Sequence, residues 1–156
     1  MIRVYADTSV FGGIFDAEFE RASKAFFKAV QEERYTLVTS VLVARELHVA
    51  PRRVREFFRK VGRVAERVRI SAQALELRDA YVAAGIVRAR WEADALHVAI
   101  ATVSACPLLI SWNCKHIVHF EKIPKYNAVN RLRGYGDIAI HTPLEVVADE
   151  DDEEGV

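Results

Sequence analysis

Three carboxylates in this sequence stand where the surrounding pattern asks for apolar side chains, and their natural chemistry is that of hard oxygen ligands. Asp7 closes the short apolar run from Ile2 to Ala6. Glu46 shares a face with Val43, Leu47 and Ala50, because a helix turning about 100° per residue brings those positions to one side. Asp94 does the same among Trp91, Ala95, Val98, Ala99 and Thr102. An unpaired buried carboxylate costs several kcal/mol against a total domain stability of roughly 5 to 15 kcal/mol, so each acid needs a partner. One divalent ion would serve all three, since Mg²⁺ or Mn²⁺ combines a few carboxylates with waters and phosphate oxygens. The other solution is a separate buried Arg or Lys for each acid, or a helix N-terminus for Asp7. Few basic residues fall on the apolar stripes, which favours the shared ion.

Alternating strands and helices must position these groups. Ile2 to Ala6, Tyr35 to Thr39, Arg67 to Ile70, Leu108 to Ser111 and Ile138 to His141 read as short strands. Between them, helical spacing runs over 18–33, 41–50, the basic segment through about Val61, 71–85, 92–105 and 126–132. Asp7 or Thr8 can cap a first turn reaching Phe15, and Ser40 and Ser71 can cap later helices. The pattern predicts an α/β fold: a three-layer αβα sandwich around a doubly wound, mostly parallel sheet. Asp7, directly after a buried strand, would then face the crevice where such sheets bind ligands.

At 156 residues the chain has room for one domain, expected over 1–147, followed by an acidic tail over 148–156. Net charge is zero, but six of the 22 acids are the run Asp149 to Glu154. Without them 22 basic residues face 16 acidic ones, so the body carries about +6. Arg52, Arg53, Arg55, Arg59, Lys60, Arg63, Arg67 and Arg69 fall in one segment against only Glu56 and Glu66. Such a run is commonly a solvated helix face, and its commonest functional use is a polyanion partner. Cys106 and Cys114 are too few for a disulfide framework and lack the spacing of a zinc site, which fits a reducing cytoplasm. No stretch approaches a membrane span or a signal-peptide core.

The strand-ending DTS at Asp7 to Ser9, ARELHVAP around Glu46, DALHVAIA from Asp94 and SWNCKHIVHF at Ser111 to Phe120 resemble the motifs of PIN-domain nucleases, and among them the VapC-type toxins. The likeness runs from Ile2 to about Val147. It implies a doubly wound parallel sheet, Mg²⁺ or Mn²⁺ dependence, endonucleolytic cleavage of RNA, a homodimer and a cognate antitoxin. The first three acids of the family fall on Asp7, Glu46 and Asp94. Its fourth acid falls on Asn113, which keeps an oxygen ligand and loses a charge.

Asp7 and Asp94 are thus expected as direct ligands, Glu46 as a ligand or as the group orienting a bound water, and Asn113 as a ligand through water or as a turn residue. Thr8 and Ser9 would steady Asp7, touch a phosphate of RNA, or cap a helix. Arg52, Arg53 and Arg55 are expected to contact RNA. His97 reads as a core histidine supporting the site, His116 as a loop histidine, and Trp91 and Trp112 as core. A catalytically silent RNA-binding or scaffold module, suggested by Asn113, is the rival. A phosphatase-like DxDxT and a Gly-rich phosphate loop are both missing.

Overall fold

A computed structural model of the protein describes residues 1–147; the acidic tail expected over 148–156 lies outside the described residues. Five strands form one sheet: β1 (Ile2–Ala6), β2 (Tyr35–Ser40), β3 (Glu66–Val68), β4 (Leu108–Ile110) and β5 (Ala139–His141). Their order is β3-β2-β1-β4-β5 and every pairing is parallel. The central strand β1 is buried at Val4, Tyr5 and Ala6, as an unbroken apolar run requires when helices cover both faces of a sheet. The edge strands are only three residues long, and β3 exposes Glu66 and Arg67. Charge and brevity both discourage edge-to-edge association.

The helices are α1 (Thr8–Gly13), α2 (Glu20–Gln31), α3 (Val41–Leu47), α4 (Arg52–Val61), α5 (Ala72–Ala83), α6 (Glu92–Val103) and α7 (Lys122–Leu132), with a 3₁₀ turn at Ala89–Trp91 before α6. The chain runs outward from β1 to β3 with one set of helices, then back across to β4 and β5 with another. Accordingly α1 packs on α2, α3 and α4, while α5 packs on α6 and α7. The result is the three-layer, doubly wound sandwich expected from the pattern. The core runs through both layers, with Phe11, Phe26 and Leu37 on one side and Leu77, Tyr81 and Ile100 on the other among its fully buried members.

Element ends differ from expectation in instructive ways. The helix expected over 41–50 stops at Leu47, since Ala50 precedes Pro51 and is pushed out of the helical region. The last helix starts at Lys122 and not Tyr126, because Pro124 falls in the first turn, where its missing N–H costs nothing. The strand expected over 67–70 lies at Glu66–Val68, paired with Val38, Thr39 and Ser40. Ser40 and Ser71 are N-caps as expected, accepting from the Val43 and Ala74 amides.

The two ends of the described chain meet at the amino-terminal side of β2. The Tyr35 hydroxyl donates to the Val146 carbonyl at 3.3 Å, and the Thr36 hydroxyl donates to the Met1 sulfur at 4.0 Å. Both lie at the opposite end of the sheet from Asp7.

Candidate active site

The sheet order reverses direction between β1 and β4. At such a switch point neighbouring crossovers leave the sheet on opposite faces and open a crevice beyond the carboxyl ends of the strands. Asp7 follows β1 there and Ser111 follows β4; the Asp7 amide continues the ladder by donating to the Ile110 carbonyl at 3.2 Å. Only 4% of Asp7 is exposed.

Two serines hold its carboxylate. Ser9 donates both its amide (3.1 Å) and its hydroxyl (2.5 Å) to Oδ1, which makes Asp7 the N-cap of α1. Ser111 donates its hydroxyl to Oδ2 at 2.6 Å. Each hydroxyl in turn accepts a backbone amide from the loop after β4, Trp112 N–H on Ser9 at 2.9 Å and Asn113 N–H on Ser111 at 2.9 Å. Polarity thus passes from loop amide to hydroxyl to carboxylate, and the loop is tied to Asp7 twice. Burial pushes the Asp7 carboxyl above its ordinary range, even though the nearby His97 and the two serines pull it down. Glu46 adds to the upward push.

Glu46 on α3 turns toward the same place. Its Oε1 accepts from the Thr8 hydroxyl at 2.6 Å and meets His97 Nε2 at 2.5 Å. Thr8 and Ser9, adjacent on α1, therefore bind one carboxylate each. Burial raises the Glu46 carboxyl, but the hydrogen bond and charge of His97, helped by Thr8, outweigh it and leave Glu46 below its ordinary range. Behind His97, Nδ1 lies 2.7 Å from the buried Tyr5 hydroxyl, which lies 2.8 Å from the Ser40 hydroxyl. A neutral ring that donates from Nε2 to Glu46 accepts from Tyr5 at Nδ1, so one tautomer satisfies both ends. Burial pushes the Tyr5 phenol well up, which keeps it a donor.

Asp94, in the first turn of α6, is half-buried and lies one helical turn before His97. Its negative charge acts on His116, whose pKa burial nonetheless lowers, assisted by Lys122, Lys115 and Arg90. Both ring nitrogens of His116 are buried and without a hydrogen-bond partner; the ring stacks on Trp91 at 4.7 Å. Asp94 is a weaker exception to its surroundings than the spacing suggests, because α6 is buried continuously from Ala95 to Thr102 and not on one stripe.

The structure places the remaining candidates as follows. Asn113 Oδ1 accepts the Lys115 and His116 amides at 3.2 and 3.0 Å, which is the work of a turn residue. Arg52 pairs with Glu56 at 2.8 Å, and Arg53 lies 5.0 Å over the Phe15 ring. Arg55 opens onto a cleft between α3 and α4. Trp112 packs as expected, stacked on Phe19 at 4.4 Å with Nε1 donating to Ser23 at 2.8 Å. Trp91, expected in the core, is instead 36% exposed, because it sits in the 3₁₀ turn before α6 reaches the interior. Sequence reasoning missed Ser111, Tyr5 and Ser40. Only Ser111 carried a signal, as a hydroxyl directly after a buried strand level with Asp7.

Among solved structures, the chain resembles one in the crystal structure of VapBC2 from Rickettsia felis bound to a DNA fragment from their promoter. The TM-score is 0.59 at 13% identity, covering 90% of this chain and 98% of that one. It also resembles a chain of FitAcB from Neisseria gonorrhoeae, with a TM-score of 0.53 at 13% identity, covering 90% and 97%. The likeness is one of fold. It agrees with a PIN-like sandwich in layers and sheet. No family model and no curated protein matches the chain.

Asp7 is a deeply buried carboxylate to which no Arg or Lys bonds, and Glu46 adds a second hard oxygen donor beside it. Such a pair suits Mg²⁺ or Mn²⁺, which takes one or two carboxylates and completes its shell with water and phosphate. Among the described residues, no three His, Cys, Asp or Glu side chains stand together as a ready-made metal cage. The residues therefore fit an ion whose shell is completed from outside the protein.

Proposed function

We propose that the protein is a metal-dependent endoribonuclease of the PIN-like type, the toxin of a cytoplasmic toxin-antitoxin pair, with RNA as substrate, an antitoxin as partner and a homodimer as its assembly. The observation that carries the reading is Asp7: a carboxylate buried at the switch point, raised by burial, and bonded among the described residues by hydroxyl and amide donors. Natural domains keep so costly a group where function needs it. That both structural neighbours are toxin-antitoxin complexes supports the partner.

Asp7 and Glu46 would hold the ion, with Asp94 reaching it through bound water, and when bound it supplies Lewis acidity, lowering the pKa of a water and offsetting charge on the phosphate. The protein's own part is orientation. Ser9 and Ser111 fix both oxygens of Asp7, while Thr8 and His97 fix Oε1 of Glu46 and leave Oε2 turned away from that bond. Asn113 shapes the loop that carries Ser111, and it acts on the site through that loop.

The test is incubation with structured RNAs in Mn²⁺. Cleavage should appear, disappear on chelation, and be abolished in Asp94→Asn while the melting profile is retained. Cleavage indifferent to both treatments would mean that the site is misassigned. A second reading, a silent RNA-binding module, draws on Glu46 being engaged by His97 and on the lack of a three-ligand cage among the described residues. It predicts RNA binding with no cleavage in Mn²⁺.

A further inference from the structure

A cleft of about 600 Å³ lies between α3 and α4, with Ala44, Leu47 and Phe58 as its apolar floor. Its rim is cationic: Arg55 and Arg59 from α4, Arg63 just beyond it, Arg67 from β3, and His48 opposite. No carboxylate lines it. The two acids within this basic stretch are used elsewhere, Glu56 by Arg52 and Glu66 by Arg3. Among the described residues none of the four arginines forms an ion pair, and all are exposed. Arg67 is held in place by Phe58, its guanidinium 5.6 Å from the ring. Four unneutralised guanidiniums around one concavity repel one another, and a polyanion relieves that repulsion.

The shape narrows the ligand. Arg55 and Arg59 are about 6 Å apart along the helix axis, and the row continues past the helix end, too long for one phosphate. Guanidinium forks match phosphate oxygens two at a time. The cleft opens on Ala44, Leu47 and His48, whereas Glu46 lies on the other side of the same short helix, roughly 10 Å across. To touch both places, a polyanion must turn around a single helix. A duplex, stiff over many helical turns, does not do this; a single strand does.

We propose that this cleft is a second RNA contact, taking the sugar-phosphate backbone of a single strand whose neighbouring segment lies at Asp7 and Glu46. It rests on the reading that RNA is the substrate. It also moves the expected contact from Arg52 and Arg53, which are engaged with Glu56 and Phe15, to Arg55, Arg59, Arg63 and Arg67.

The experiment is fluorescence anisotropy of a labelled single-stranded RNA in chelator, over a salt series. It compares the wild type, Arg59→Gln with Arg63→Gln, and a charge-matched control on α7 and its C-cap, Lys125→Gln with Arg133→Gln. Melting curves establish that all three are folded. The cleft variant should bind about tenfold more weakly, and two lost phosphate contacts should flatten its logarithmic salt slope by about 1.4, with the control within about twofold of wild type. In cleavage assays the cleft variant should raise KM and leave kcat in place, as a contact remote from the scissile bond would.

If the wild type binds RNA and the cleft variant binds equally well, the cleft assignment is overturned and the nuclease reading stands. A wild type that binds no RNA overturns both. If the cleft variant keeps its RNA affinity but loses affinity for an acidic peptide matching 149–154, the occupant is an acidic polypeptide and the proposal is also overturned.

Discussion

Asp7 accepts three hydrogen bonds and is shielded from water, yet burial still raises its pKa. A carboxyl raised in the folded state holds its proton more tightly there than in the unfolded chain. Its favourable contribution is complete below the ordinary aspartate range and is lost as pH rises through the raised folded value. In chelator, Asp7→Asn should therefore be more stable than the wild type at neutral pH, by about 1 to 3 kcal/mol, and the gap should close toward acid pH. Asn caps helices as well as Asp does, so α1 is not penalised. Thermal melts of both proteins across that range measure this, and a variant less stable at neutral pH would show that Asp7 is already fully compensated. The placement of Asp7 was legible because a carboxylate ending an apolar run is conspicuous. The pairing of Glu46 was not. Its partner is neither Arg nor Lys but His97, 51 positions away and oriented through Tyr5 and Ser40. A histidine on an apolar helix reads as part of the core, and nothing in the residues around it marks it as the partner of a distant carboxylate.

At the scale of elements, α1, α2 and the loop after β4 meet at Gly13. A β-carbon there would lie 2.5 Å from Ser23 Oγ and 2.9 Å from Trp112 Nε1, the two atoms of a single hydrogen bond. Ser23 is fully buried and cannot swing aside. Gly13→Ala should thus cost about 1 to 3 kcal/mol by overpacking, read from the denaturation midpoint. It should also lower activity, because the Trp112 amide bonds Ser9, which bonds Asp7. An unchanged midpoint would show that the loop is free to move. Strands and helices were legible here from periods of two and 3.6, and the Ser40 and Ser71 caps from residue type. What the period could not reveal was burial on every side. The apolar stripe assigned to α6 is part of a stretch buried on every side from Ala95 to Thr102, because α5 covers it on one side and the sheet on the other.

For the molecule as a whole, the charge balance is uneven, with a body of about +6 against six consecutive acids near the end of the sequence. If the acidic run competes with RNA for the basic surface, removing residues 149–156 should raise RNA affinity at low salt and leave it unchanged at high salt, where surface charges are screened. Equal affinity at both salts would dismiss the competition. The fold agrees with the expected sandwich, and the reversal of strand order between β1 and β4 opens the crevice at Asp7.

Met1 and Val146 both reach the Tyr35–Thr36 corner, about 16 Å of strand away from the carboxylates. A dye or affinity handle attached at Met1 consequently stands at the far end of the sheet from Asp7 and Glu46. A peptide bridge between positions 147 and 1 would ligate the described domain into a circle, and a fresh opening cut elsewhere would yield a permuted domain with Asp7 and Glu46 still on one unbroken stretch.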